Sequence, residues 1–235
     1  MNNIESLYGL GGLHVGGPRE LSNITLVDEN LERLLIGPGR PPASTVLLKD
    51  SAFTRCAIRG ELRIAPGVAL ENVLFDDVRG PDMMTVSTQA ALDRVIVKGG
   101  HASVGLWVKP SDFATPSDRQ ECEAWAASRQ SAASWMLDFS ELESKEVEVV
   151  GLPLDKLRWN TERHVPLKLD RFQGSAWKAL NLPSTNFWRA RLRRLELFGV
   201  TEGVYSLPLE GDKRYAQTKE EMLYLVREGI LDQEP

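Results

Sequence analysis

A strand-sized phrase of eight residues, apolar-x-x-apolar-x-apolar-x-Gly, recurs along this chain of 235 residues. The complete and partial copies lie at 31–37, 53–60, 73–80, 92–99, 144–151, 169–172 and 192–199. A repeated phrase of this size is typical of a stacked, quasi-one-dimensional architecture, in which each copy packs only against its neighbours.

The spacing of the copies favours short strands wound into a coil. The first residues of the copies at 31, 53, 73 and 92 are 22, 20 and 19 residues apart, which is about one winding of a solenoid. Six apolar residues also lie five or ten positions apart: Leu48, Phe53, Ile58, Val68, Val73 and Val78. Tight corners between short strands would turn these side chains inward on successive sides. We therefore predict a mainly β fold, a β-solenoid.

Small residues precede two of these apolar positions. Ser51 lies two residues before Phe53, and Cys56 lies two residues before Ile58. In this respect 44–100 resembles the pentapeptide-repeat proteins and, more broadly, the right-handed parallel β-helices. The resemblance implies a right-handed solenoid. Four positions depart from the small-residue rule and favour a less regular β-helix: Glu61, Pro66, Glu71 and Asp76.

Two helices are predicted outside the repeat. Thr115 suits a helix N-cap and Pro116 a first helical turn, which predicts a helical insertion over 111–136. Thr218 and Glu221 form a capping-box pattern before an apolar face, which predicts a C-terminal helix over 218–229. Such a helix would cover the exposed strand edge of the last winding.

These features predict a single domain over 1–235. Its expected parts are an N-terminal cap or loop at 1–30, windings at 31–110, the helical insertion at 111–136, further windings at 137–200, and a C-terminal segment at 201–235.

Composition and charge exclude several classes of function. The chain is 42% hydrophobic and 26% charged, and no apolar run approaches the ~20 residues of a spanning helix, so no membrane partner is expected. The net charge of −5 disfavours non-specific binding of nucleic acid. Cys56 and Cys122 support no disulfide framework, and the N-terminus lacks the pattern of a secretory signal. A cytoplasmic location is expected.

Basic residues occupy the outward positions of the phrase. The third position is Arg in five of seven copies, including Arg55 and Arg94, and the seventh position holds Arg59, Arg79 and Lys98. If the copies stack in register, these residues would form columns, which need acidic neighbours or a ligand to compensate their charge. Two interpretations stay open: an exposed flank of ion pairs, or a surface for an acidic partner.

Aromatic residues supply further candidates. Trp125 and Trp135 lie in the predicted insertion, where exposed aromatic side chains can anchor a partner. In 187–194, an alternating pattern predicts a strand with Arg189, Arg191 and Arg193 on one face. Such a strand serves either as a protected sheet edge or as a site for single-stranded nucleic acid.

Catalytic signals are few. His14, His101 and His164 lack a metal-ligand spacing, and no phosphate-binding or dinucleotide motif is present, so neither a metal nor a cofactor is expected. Asp76 interrupts an apolar position beside Asp77, and a carboxylate pair at the right separation can hydrolyse a glycoside. Alternatively, Asp76 turns outward or bonds to a corner.

The sequence thus predicts a non-catalytic protein-binding solenoid, most simply an inhibitor or immunity-type protein that neutralises a cognate toxin or enzyme. The first alternative is a carbohydrate-active enzyme that uses Asp76 and Asp77, and the second is a polyanion-binding module that uses stacked Arg. The predicted partner-binding residues are Arg55, Arg59, Arg79, Arg94, Trp125 and Trp135.

Overall fold

The fold was analysed in a computed structural model of the chain. The residues that the structure describes are 8–9, 12–15, 19–38, 44–81, 83–113, 115–169, 176–229 and 231. Residues 1–7 of the predicted N-terminal cap and 170–172 of the partial phrase copy lie outside these ranges.

Short strands follow one another along the first two thirds of the chain. They are β1 Tyr8–Gly9, β2 Gly12–Val15, β3 Arg19–Ser22, β4 Thr25–Val27, β5 Asn30–Leu31, β6 Leu34–Ile36, β7 Val46–Thr54, β8 Ala57–Ile58, β9 Leu62–Ile64, β10 Val68–Asp76, β11 Met84–Ser87, β12 Ala91–Lys98, β13 Leu106–Lys109, β14 Leu137–Asp138, β15 Val147–Val150 and β16 Leu157–Arg158. The remaining elements are α1 Pro116–Gln130, β17 His164–Lys168, α2 Phe187–Phe198, β18 Glu202–Ser206 and α3 Tyr215–Arg227, with single 3₁₀ turns at Leu154–Lys156 and Ala176–Leu180.

These strands form two large sheets and one small one. The first sheet has the order β1-β2-β6-β9-β11-β13-β15-β18-β17, and the second has the order β16-β14-β12-β10-β7-β3, with β4 also paired to β7. Pairing is parallel from β2 to β15 in the first sheet and throughout the second. In the described residues from β6 to β13, strands of the two large sheets alternate along the chain, apart from β8 of the small sheet, without an intervening helix.

A constant register aligns the apolar side chains. Leu48, Leu70 and Leu92 pair in register at intervals of 22 residues, and all three are buried. The rings of Phe53 and Phe75 stack with centroids 5.1 Å apart. This stacking places the larger of two apolar cores between the sheets.

Each long strand of the second sheet bends at a residue in the left-handed region. The φ angle is 49° at Asp50, 55° at Asn72 and 54° at Arg94, and these residues occupy equivalent positions. Asn72 Nδ2 donates to Asp50 Oδ1 at 2.8 Å, which links two successive bends. The bend shifts the inward–outward alternation by one residue, so Val73 and Phe75 are buried although Val68 and Leu70 are buried too.

The C-terminal third follows a different plan. β18 pairs with β15 and β17 in antiparallel fashion and ends the parallel run of the first sheet. α2 and α3 contact each other, and α2 also contacts β18. Their buried side chains, with Trp188 fully enclosed, form a second apolar core.

The predicted fold class, a mainly β right-handed solenoid with a capping helix, is therefore wrong. The chain is a mixed α/β protein, and its described residues contain parallel and antiparallel pairing and three α-helices. The predicted strand over 187–194 and the phrase at 192–199 both fall in α2. Trp188, Leu192 and Leu195 are spaced as on one face of a helix, and all three are buried. Burial of this apolar face favours a helix over a strand.

The two helix predictions fare differently. α1 begins as predicted, because the Thr115 side chain accepts a hydrogen bond from the Asp118 amide at 3.1 Å. The predicted capping box of the C-terminal helix is wrong, because α3 begins at Tyr215 and Thr218 is buried within it. Glu221 instead accepts a hydrogen bond from the Phe187 amide at the start of α2, at 2.8 Å. α3 therefore packs on α2 rather than over a sheet edge.

A buried ion pair joins the C-terminal third to the first sheet. Glu148 of β15 is 2% exposed, and its two oxygens accept hydrogen bonds from Arg194 of α2 and from Trp107 Nε1 of β13, the latter at 3.2 Å. Lys109 lies over the same indole ring at 3.8 Å. Glu148 thus holds α2 against the outward face of the sheet.

Glu148→Gln should lower the free energy of unfolding by about 2 kcal/mol, because the neutral amide leaves the Arg194 guanidinium without its counter-charge. Urea denaturation measures the change. The matched control is Glu32→Gln, which breaks an exposed ion pair with Arg59 and should cost less than about 1 kcal/mol. Equal losses in the two variants would contradict the assigned role.

Candidate functional site

A groove of about 920 Å³ lies where the parallel strands of the first sheet meet the C-terminal third. One wall comes from the corner at 143–146 together with His101, and the opposite wall comes from 207–215. Glu162 and Arg163, which precede β17, complete the lining.

A second hollow of about 430 Å³ lies beside the groove, along the corners that connect the strands. The two cavities share His101, Lys145 and Glu146, so they are adjacent. Gly105 lines the extension, and a Cβ there would lie 2.8 Å from the Glu146 carbonyl oxygen. Glycine at this position therefore lets two successive corners approach closely.

The wall at 207–215 has an apolar surface that backbone hydrogen bonds hold in place. Leu207 and Pro208 are buried, and Leu209 and Tyr215 are half-buried. The Leu207 amide donates to the Arg163 carbonyl at 2.8 Å, and the Asp212 amide donates to the Leu209 carbonyl at 2.7 Å. These bonds define the shape of the wall before any ligand arrives.

The charged residues of the groove differ in how they are paired. Arg214 binds Asp212 through two nitrogens, at 3.2 and 3.0 Å. Arg163 donates to the Ser144 carbonyl at 3.2 Å. By contrast, three further carboxylates of the lining form no ion pair within the described residues: Glu146, Glu162 and Glu210.

The hydrogen bonds from the Arg214 side chain and backbone lower the pKa of Asp212 from 3.8 to about 2. NMR titration of the carboxyl carbon should therefore give an apparent pKa near 2, and Arg214→Gln should raise it towards 3.8. Because the pKa is lowered on folding, the pair stabilises the fold above the ordinary pKa, and this contribution disappears as the pH falls through 2. An unchanged pKa in Arg214→Gln would contradict this account.

Each predicted partner-binding arginine forms an exposed ion pair. The pairs are Arg55–Asp28 at 2.7 Å, Arg59–Glu32 at 2.9 Å, Arg79–Asp77 at 2.6 Å and Arg94–Asp93 at 3.1 Å. The structure does not bring these four residues into columns. Arg55 directly follows Thr54, which pairs with Asp76, so Arg55 is level with Asp77 of the neighbouring strand. Arg94, by contrast, is level with Asn72.

The carboxylates of the alternative enzymatic interpretation are also bound. Asp76 lies on the outward side of β10, 3.7 Å from Lys98 Nζ. Asp77 accepts hydrogen bonds from Arg79 and from Ser103 Oγ, and the Arg79 bond is the main cause of its lowered pKa. A general acid in glycoside hydrolysis requires a raised pKa, which is the opposite of the shift at Asp77.

The two predicted tryptophan anchors are half-buried and lie outside both cavities. The Arg129 guanidinium lies over the Trp125 ring at 5.5 Å, and Arg158 lies over Trp135 at 4.4 Å. Arg129 also pairs with Glu71 of β10 at 3.0 Å, which fixes α1 against the second sheet. These contacts give both tryptophans a role in packing.

The residues that line the groove were not singled out from the sequence. They come from four segments that are distant in the chain, and the sequence of each segment alone predicts only a polar corner. The one local signal is Leu207-Pro208-Leu209-Glu210-Gly211-Asp212, in which Pro and Gly mark an irregular turn that carries apolar and acidic side chains.

Comparison with known proteins assigns the chain to no family, since no protein-family model, curated protein or solved structure matches it. None of the helices in the described ranges is both long and apolar enough to cross a membrane. The function of the groove is therefore inferred from its shape, its lining and its charge.

Proposed function

We propose that the protein binds another protein without catalysis, and that the groove between the corner at 143–146 and 207–215 is its binding surface. The observation that carries this proposal is an open depression with an apolar wall and a charged rim. Protein interfaces have the same anatomy, with an apolar centre surrounded by polar side chains. The adjacent hollow, which shares His101 with the groove, lengthens this surface along the corners that connect the strands.

Preorganisation supports this proposal. The groove wall is already fixed by backbone bonds from Leu207 and Asp212, so binding would not have to order it. A surface that needs little ordering loses less entropy on association. A rigid groove of this kind suits an inhibitor or immunity-type protein, which has to hold a segment of a toxin or enzyme in an inactive arrangement.

The test is affinity capture from the host with the tagged wild-type protein and two matched variants. Leu209→Asp places a charge on the apolar wall of the groove. Leu197→Asp makes the same change on α2, at a side chain that is 80% exposed and lies outside both cavities. We expect one partner at stoichiometric amounts with wild type and Leu197→Asp, and a loss of about tenfold or more with Leu209→Asp.

The captured partner is then assayed for activity with and without the protein, and cell fractionation tests the cytoplasmic location that belongs to the same proposal. Inhibition that Leu209→Asp abolishes would support the inhibitor form. The absence of a stoichiometric partner, or equal capture by all three proteins, would refute binding through the groove.

A further inference from the structure

We infer that the groove receives a basic, partly apolar segment of the partner protein. This inference rests on the proposed function and specifies the chemistry of the partner. It follows from the charge balance of the lining, from the pairing of its carboxylates and from the composition of one wall.

The lining carries an excess of negative charge. Five carboxylates face the groove against three cations, which leaves two negative charges in excess when His101 is neutral. The ion pair of Arg214 with Asp212 leaves this excess unchanged, because it removes one charge of each sign, and Arg163 keeps its charge because it donates to the uncharged Ser144 carbonyl. The potential of the groove therefore favours a positively charged occupant.

The pairing of the carboxylates supports this argument. Three carboxylates of the groove form no ion pair among the described residues: Glu146, Glu162 and Glu210. Carboxylates left unpaired around a concave surface can form new ion pairs with a ligand at little cost, because no existing pair has to break.

The apolar wall sets a second requirement. Leu209 and Tyr215, which are half-buried, line the same groove as the unpaired carboxylates. A purely polar polycation would leave this wall in contact with water, whereas a segment with apolar side chains between its Lys or Arg residues would bury it. The groove thus matches an extended segment of a protein in which basic and apolar residues alternate.

Fluorescence anisotropy with labelled synthetic peptides tests this chemistry without the natural partner. The probes are a peptide with alternating Lys and Leu, the same peptide with Glu for Lys, and the same peptide with Gly for Leu. We expect the first probe to bind about tenfold more tightly than either of the others, with an affinity that falls as salt rises.

A matched pair of charge variants assigns the binding to the groove. The triple variant Glu146→Gln, Glu162→Gln, Glu210→Gln should weaken binding of the Lys–Leu peptide about tenfold. The control triple Glu29→Gln, Glu121→Gln, Glu228→Gln removes the same charge from exposed positions outside both cavities and should leave the affinity unchanged.

Several outcomes would overturn the inference. Equal weakening by the two triple variants would show a general charge effect, and equal binding of the Gly-containing probe or full displacement by spermine would show a site for small cations. A partner captured through Leu209 together with failure of the peptide test would refute the basic segment alone. Failure to capture any partner would refute the proposed function, whatever the peptides do.

Discussion

Lowering the pH from 6.5 to 4 should reduce the free energy of unfolding by about 3 kcal/mol through one residue, His164. This side chain is 2% exposed in β17 and its ring meets the edge of Phe139 at a centroid distance of 5.2 Å. Within the part of the chain that the structure describes, neither ring nitrogen has a partner in hydrogen-bonding geometry. Burial, and to a lesser degree the charge of Arg163, lowers its pKa from 6.5 to about 4.

The direction of the effect follows from proton binding in the two states. Below pH 6.5 this histidine binds a proton in the unfolded chain, but in the folded protein it remains neutral until the pH reaches about 4. This histidine therefore leaves the free energy of unfolding unchanged above pH 6.5. Its contribution to the free energy of unfolding falls progressively as the pH is lowered from 6.5, and changes no further below 4. The Asn160 carbonyl acts weakly in the opposite sense, and carboxylates with lowered pKa values, such as Asp77, lose their contribution only at lower pH.

Urea denaturation at a series of pH values measures this dependence. His164→Leu should flatten the curve between pH 6.5 and 4, and at pH 7 it should be at least as stable as wild type, because it removes buried nitrogens that have no partner. His101→Leu is the matched control, since it makes the same change at an exposed histidine. A steep curve that persists in His164→Leu would contradict the assignment.

Periodicity located the apolar residues correctly but misaligned them. All six residues of the five-residue series, from Leu48 to Val78, are buried. The phrase copies at 53–60 and 92–99, however, lie at different points of the repeat, because Phe53 pairs with Phe75, which in turn pairs with Val97, whereas Leu92 pairs with Leu70.

The left-handed bends explain this error. A bend creates the spacing apolar-x-x-apolar wherever it occurs. Each repeat of the second sheet has two bends, one at Asn72 or its equivalent and one at Asp77 or its equivalent. Copies of the phrase centred on different bends look alike in the sequence. The expected arginine columns rested on this mistaken alignment, and so did the anomaly at Asp76, which lies on the outward side of its strand.

The C-terminal third could have been interpreted better from the sequence than the groove could. Asn186 caps α2 by accepting hydrogen bonds from the amides of Trp188 and Arg189, and Gly199 ends the helix in the left-handed region. Both are recognisable signals, but the apparent phrase at 192–199 obscured them. The groove has no comparable signal, because antiparallel pairing of β18 with β15 and β17 brings its walls together from distant segments.

Trp188→Ala should cost about 4 kcal/mol of unfolding free energy, which is the largest effect expected of any single substitution considered. Trp188 is fully buried in the second core, and its ring lies edge-on to Phe187 at a centroid distance of 5.0 Å. Its Nε1 donates to the Thr218 carbonyl of α3 at 3.1 Å. Truncation therefore opens a large cavity and breaks the bond between the two helices.

The loss should be concentrated in the C-terminal third, since the core between the sheets is a separate cluster of buried side chains. Hydrogen exchange read by mass spectrometry should show faster exchange in α2, α3 and 207–215, with β7, β10 and β12 still protected.

Because 207–215 forms one wall of the groove, Trp188→Ala should also weaken binding of the Lys–Leu peptide, although Trp188 itself lies outside the groove. Trp125→Ala is the control: this half-buried residue on α1 should cost about 1 kcal/mol and leave peptide binding unchanged. If both variants lost stability equally, or if exchange rose throughout the sheets, the second core would not be what holds the groove wall in place.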